Sequence, residues 1–512
     1  MKPFHKPHAP QTLKHALAAG LIVTMLASVP ESKAEREAER ARSVFEANLQ
    51  RRIDHIVVIY QENWSFDSLY GQFPGVDGLQ NGFDTLPQLD KAGGYTNYMY
   101  VTPQALNGAP DLRFPPGNGQ LALPLIPYDL TKYVSASETT GDIVHRFYHE
   151  QLQIDNGLLE PKLGSMDKFV TWSDNPGLVL SYLDATDLPE GKLARQYTIC
   201  DNCFHSAYGG SFLNHQFFVA AAAPRWQQPI PAGYQSSYDP LTQTLADGNL
   251  TIDGQYVVNT TYGAQTPHPG SVPANKLLLA INNVDAMQPG YMPTIGNRLD
   301  NAHVSWKWYS GGWSNAVAGK ADPLFQFHHQ AFGYYAKYAP FNPDGTVNPA
   351  TTGPLAHLQD EQSFFHDVAF GRLPAVSFIK PLGPDNEHPG YASLLKGQQH
   401  VADLVSAIQK SWLWGSTVII ITYDENGGRW DHVTPPVMPD GWGLGTRVPT
   451  IIVSPYTAGG VIDGNQYETV SILKLIERRF NLAPLSARDA NPTVSDLSTA
   501  FRFPAGPPLW ER

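Results

Sequence analysis

Two apolar runs in this chain stop abruptly on acid. Residues 418–433 read VIIITYDENGGRWDHV, in which Ile419, Ile420 and Ile421 succeed one another before Asp424 and Glu425. Consecutive β-branched residues without alternation predict a strand covered on both faces, as in a parallel sheet. Asn426, Gly427 and Gly428 then predict a turn. Residues 53–60, IDHIVVIY, predict a second such strand, which runs into Gln61, Glu62 and Asn63. Further strands are predicted at 303–312 (HVSWKWYSGG), 373–380 (LPAVSFIK) and 449–455, and helices at 35–51, 393–409 and 471–480. This interleaving predicts an α/β core.

Between these elements the pattern weakens. Residues 71–127 are dense in Pro and Gly and predict loops. Residues 226–275 turn to Thr, Asn, Gly and Gln with short Val/Tyr pieces, which predicts an inserted β-rich excursion outside the core. Ser65 is expected to cap a helix. His145 and His149 are four apart and share a face if their segment is helical, although a packed or capping histidine is the commoner outcome. Gly209 and Gly210 precede Ser211 and an apolar helix, so Ser211 stands near a helix N-terminus, where an anion is favoured; an ordinary N-cap serine is the plainer alternative.

Composition narrows the class. The 512 residues are 42% hydrophobic and 16% charged, with a net charge of −12, which fits a globular protein and argues against nucleic acid as a partner. Lys2, Lys6 and Lys14 precede an apolar run too short to span a bilayer, and Ser32-Lys33-Ala34 suits a signal peptidase. The expected organisation is a leader at 1–34, a helical lead-in at 35–52 and a catalytic domain at 53–512. The mature chain is then exported, periplasmic or secreted, without an integral membrane segment. Cys200 and Cys203 are the two cysteines, for which a structural role is expected.

If the two acid-tipped strands are neighbours in one parallel sheet, Glu62, Asn63, Asp424 and Glu425 meet in the crevice where such sheets bind ligands. Adjacent carboxylates raise each other's pKa, and a bound cation relieves the repulsion. Carboxylate and amide oxygens without thiolates select one hard divalent cation: Ca²⁺, Mg²⁺ or Mn²⁺.

Four segments together carry a family likeness: QENWSFDSLYG at 61–71, GGSFLNH at 209–215, NEHPG at 386–390 and YDENGGRWDHVTPP at 423–436. With these the chain resembles the phosphoesterase family of bacterial phospholipases C and acid phosphatases. The resemblance implies an alkaline-phosphatase-like α/β sandwich with a central, mostly parallel sheet and a smaller β-rich part. It implies metal ligation by Glu62, Asn63, Asp424, Glu425 and Ser211, with Ser211 as nucleophile. It implies phosphate contacts from His145, His328, His329 and His388, of which His145, His329 and His388 also serve the chemistry. The phospholipase branch has threonine at the nucleophile position and arginine where Trp64 stands. Ser211 therefore points first to an acid phosphatase that hydrolyses small phosphate monoesters through a phosphoserine. The alternatives are a phospholipase C acting on diester head groups such as phosphatidylcholine, with Trp430, Trp442 and Tyr456 as a cation cage, and a non-enzymatic protein that binds metal and phosphate. Cationic histidines with ordinary pKa near ~6.5 predict best activity at mildly acid pH.

Overall fold

A computed structural model describes residues 33–85, 87–94, 102–115, 126–155 and 164–504. The expected leader lies outside these residues except for Lys33 and Ala34, which open helix α1 (Lys33–Arg52). No helix among the described residues is long and apolar enough to cross a membrane.

The core is an eight-stranded sheet. In chain order its strands are β1 (His55–Gln61), β2 (Thr198–Cys200), β3 (Trp306–Ser310), β4 (Leu358–Asp360), β5 (Val376–Lys380), β6 (Thr417–Tyr423), β7 (Thr450–Val453) and β8 (Val461–Asp463). Their spatial order is β8-β2-β7-β6-β1-β5-β3-β4. Every pairing is parallel except those made by β7, which runs against β6 and β2. The α/β reading therefore stands, and its two acid-tipped strands, β1 and β6, are direct neighbours. Gln61 pairs in register with Tyr423, so Glu62 and Asp424 leave the sheet side by side.

Helices cover both faces. Tyr60 precedes Gln61 and so points away from Tyr423, the register partner of Gln61. On the Tyr60 side lies α5 (Ser211–Ala220), whose Phe218 stacks on Tyr60 with ring centroids 4.2 Å apart. On the other side Tyr423 donates to Glu190 of α4 (Pro189–Gln196), which packs against α6 (Leu394–Gln409). This two-sided burial is why β6 tolerates Ile at every position from 419 to 421, all fully buried or nearly so. Ser65 caps the short α2 (Phe66–Tyr70) by accepting from the Ser68 amide, and Ser393 does the same for α6 through Lys396. After β8 comes α7 (Thr469–Phe480), which packs on α5.

Two local expectations fail. Helix α3 (Phe147–Ile154) begins two residues after His145, so His145 and His149 do not share a helix face; His149 instead meets Asp247 at 3.0 Å. In the 226–275 stretch regular β structure is confined to a three-residue hairpin pair, Ser237–Asp239 with Thr244–Ala246. Leu250, Val257 and Val258 of that stretch are fully buried in the main apolar cluster, so it contributes to the core it was expected to avoid. Cys200 and Cys203 are unbonded and buried, and burial pushes the Cys203 thiol up to about 12, as suits a structural role.

Removing the Ile420 side chain leaves a cavity in the centre of the sheet. Ile420→Ala is expected to lower unfolding stability by about 2–5 kcal/mol, read from denaturant unfolding at a fixed cation concentration. A change under about 0.5 kcal/mol, the range of surface substitutions, would place β6 outside the core.

Candidate active site

The ends of β1 and β6 and the start of α5 meet at one point. The Ser211 hydroxyl lies 3.0 Å from Glu62 Oε2, 3.3 Å from Glu425 Oε1 and 3.5 Å from Asn63 Oδ1. Asp424 joins through its Oδ1, which accepts from the backbone amides of Asn63 (3.2 Å) and Glu425 (2.9 Å). The five residues taken from the sequence as ligands and nucleophile thus surround one point, although they come from three distant segments.

Local backbone geometry makes this approach feasible. Asn63 is left-handed, with φ 65°, which turns its amide toward Ser211. Gly427 faces it at φ 60°, and a Cβ there would sit 2.5 Å from the Asn63 carbonyl oxygen. At the other side Gly209 has φ 85°, and a Cβ would meet the Phe147 amide at 2.4 Å. Ser211 is not the helix cap. Gly210 takes that place, which leaves the Ser211 side chain free to face the acids.

The electrostatics are unbalanced toward negative charge. Glu62, Asp424 and Glu425 are fully buried, and burial raises all three pKa values; the Asp424 charge raises Glu62 and Glu425 further, so that both lie well above the usual carboxylate range. Lys380 pairs with Glu62 Oε1 and is the one ammonium or guanidinium that reaches these acids among the described residues. Ser211 has a single proton for three acceptors, and Asp424 Oδ2 has no hydrogen-bond partner. A surplus of buried oxygen acceptors with an orphaned carboxylate oxygen fits a hard divalent cation.

The four predicted histidines gather here too. His145, His328 and His388 line a pocket of about 230 Å³ that opens on Ser211, together with Asp142, Thr260 and Tyr391. His145 Nδ1 lies 2.6 Å from the Ile143 carbonyl, which can only accept, so in the neutral ring Nε2 carries the lone pair; it receives the Asn63 amide at 3.3 Å. His388 has the opposite tautomer, because its Nδ1 accepts from Gly390 N and its proton is left on Nε2. His329 sits behind Ser211, with Nδ1 3.3 Å from Glu62 Oε1. Burial holds His328 down at about 3 and His388 at about 4, so both are neutral across the mildly acid range. Burial and the neighbouring positive charges thus favour the neutral form of these two over the cationic form expected.

Lys380 and His215 were missed in the sequence, yet both touch Glu62. Lys380 had a readable signal. It is a charge closing an apolar strand, as Glu62 and Asp424 are. The cage aromatics do not assemble: Trp430 bonds the Met166 carbonyl, Trp442 packs against Phe147 and Tyr256, Tyr456 bonds the Gly415 carbonyl, and none lines the pocket. Trp64 bonds the Glu387 carbonyl, with the Arg429 guanidinium 4.2 Å over its ring.

Against known proteins, the model of the phosphoesterase family matches residues 53–483. Phospholipase C B of Mycobacterium tuberculosis is 27% identical over 484 residues, covering 89% of this chain and 78% of that one. The non-hemolytic phospholipase C of Burkholderia pseudomallei is 26% identical over 512 residues, covering 90% of this chain and 60% of that protein. Among solved structures, a protein in the alkaline phosphatase superfamily from Vibrio parahaemolyticus aligns with 60% of this chain and 63% of its own at 10% identity and a TM-score of 0.30, a likeness too slight to bear on the chemistry.

The raised acids carry a sign for stability. Above the ordinary carboxylate value of 4.5 these acids hold more protons in the folded chain than in the unfolded one, so without metal their contribution to stability falls as pH rises. Below about 6.5 the depressed histidines oppose this trend by taking up protons on unfolding, so chelated protein is expected to lose melting temperature as pH rises above that value, with a ceiling of about 1.4 kcal/mol per pH unit for each retained proton. Added divalent cation should flatten the slope; equal slopes with and without cation would remove these acids as its ligands.

Proposed function

The chain belongs to the phosphoesterase family, and from that premise we propose that it is an exported hydrolase of phosphate diesters of the phospholipase C kind. Phosphoric ester hydrolysis comes with the family. The diester reading draws on the relatives named phospholipase C, which match most of this chain. That reverses the order suggested by Ser211 alone. The observation that carries the chemistry is the Ser211 hydroxyl, held within 3.5 Å of Glu62, Asn63 and Glu425 at the mouth of the histidine-lined pocket.

Glu62, Asn63, Asp424 and Glu425 would hold one divalent cation beside Ser211. When bound, such an ion lowers the pKa of a neighbouring hydroxyl and withdraws charge from a phosphoryl oxygen. Ser211 Oγ attacks phosphorus from the first turn of α5, whose free amides favour the developing negative charge. Glu62 Oε2 orients that hydroxyl through the shortest of its hydrogen bonds. The Ser211 proton passes to Glu62 Oε2, while the Nε2–H of His388 hydrogen-bonds the leaving oxygen, which takes its proton from water in the pocket. When water then cleaves the phosphoserine, the His145 Nε2 lone pair accepts its proton and releases it to solvent, and Ser211 Oγ recovers its own from Glu62. His328 and His329 line and back the phosphate position. A second reading, hydrolysis of monoesters, is favoured by the serine at the nucleophile position. The scattered positions of Trp430, Trp442 and Tyr456 leave a choline head group without the cage proposed for it.

Ser211→Ala is expected to cut turnover at least about a thousandfold with cation binding largely intact by calorimetry; retained turnover sinks the nucleophile assignment. Asp424→Asn should weaken cation binding and turnover together, and unaltered metal content would strike Asp424 from the ligand set. Offered lecithin, a soluble diester and a monoester, the enzyme should release the phosphorylated head group from lecithin, whereas hydrolysis of the monoester alone would defeat the diester reading.

A further inference from the structure

Glu62 turns its two oxygens to different neighbours. Oε2 receives the Ser211 hydroxyl, whereas Oε1 faces Lys380, His329 and His215. Lys380 closes β5 with its side chain 1% exposed, and its ammonium donates to the Tyr60 carbonyl at 2.9 Å and to Glu62 Oε1. Around that same oxygen stand His329 Nδ1 at 3.3 Å and His215 Nε2 at 3.8 Å, on rings stacked 4.8 Å apart. His215 Nδ1 lies 2.8 Å from the Ser211 carbonyl, so it carries the hydrogen and Nε2 the lone pair. That Nε2 is buried without a hydrogen-bond partner and faces a carboxylate. One lone pair facing another out of water requires a positive charge nearby. Two imidazoles and a carboxylate, with ligand atoms all within 4.8 Å of one another, form a donor set for a borderline metal such as Zn²⁺.

We propose that the Lys380 ammonium stands where a second metal ion would otherwise bind between Glu62, His215 and His329, and that it thereby limits the centre to one divalent ion. It is a positioning residue: its fixed charge holds Glu62 Oε1 and leaves Oε2 for Ser211. Three carboxylates are then balanced by one ammonium and one divalent cation. The inference rests on the reading of Glu62, Asn63, Asp424 and Glu425 as ligands of a single ion. That first reading fails separately, because a wild-type chain that binds no metal refutes it.

The test counts metal. After chelation and reloading with Zn²⁺ or Co²⁺, the wild-type chain should hold one equivalent by mass spectrometry. Lys380→Met should double this, with a Co²⁺ absorption spectrum reporting imidazole ligation. The second equivalent should vanish in Lys380→Met combined with His329→Ala, and Lys380→Arg, which keeps the charge, should remain at one. Lys380→Met holding the same single equivalent as wild type overturns the proposal. Should that variant not fold, the wild-type chain decides: saturation at one equivalent in excess Zn²⁺ supports it, and a second equivalent that His215→Asn removes overturns it.

Discussion

Three carboxylates held out of water beside a single hydroxyl are the constraint on which this structure turns. Taking one such charge from water costs several kcal/mol even after the protein relaxes. Glu62, Asp424 and Glu425 are nevertheless fully buried and within reach of one another. Part of the cost is met by Lys380 and by backbone amides of Asn63, Glu425 and Gly427. What is left over is an Asp424 oxygen without a hydrogen-bond partner and carboxyls raised by burial, an arrangement that a divalent cation would satisfy.

A second acidic cluster shows what a balanced one looks like. Asp67, Asp431 and His432 also converge in the interior. There Arg447 donates to Asp67 at 3.0 Å and to Asp431 at 2.9 Å, and His432 sits 2.6 Å from Asp67, which helps lift its pKa to about 8. The protein itself supplies the cations, and the cluster ties the loop after β6 to the helix after β1. At the Ser211 centre, by contrast, one ammonium among the described residues faces three carboxyls.

The acid-bearing ends of β1 and β6 are braced from the opposite face of the sheet. Glu387, left-handed at φ 73°, accepts from Gln61 at 2.7 Å and from Tyr423 at 2.5 Å, so the last residues of both strands are tied to the segment that carries His388. Burial first of all raises the Glu387 carboxyl to about 7, and Glu190 shares the same tyrosine. The clustered acids, Ser211 and the pocket histidines are therefore positioned by one continuous buried framework.

How much of this was legible in the sequence follows from what is local. Unbroken Ile and Val in β1 and β6 predict strands buried on both faces, and acids at their ends declare themselves without a structure. Ser211 after two glycines likewise announces a helix start where backbone must approach backbone. The opposed tautomers of His145 and His388, the depressed pKa of His328 and the pairing of Lys380 with Glu62 could not be read, because burial and proton placement depend on neighbours hundreds of residues away. The residue types came from the chain by itself. Which of their charges were left without a partner was decided only when the sheet brought β1, β5 and β6 side by side, since the energy of a buried charge is set by what surrounds it in space.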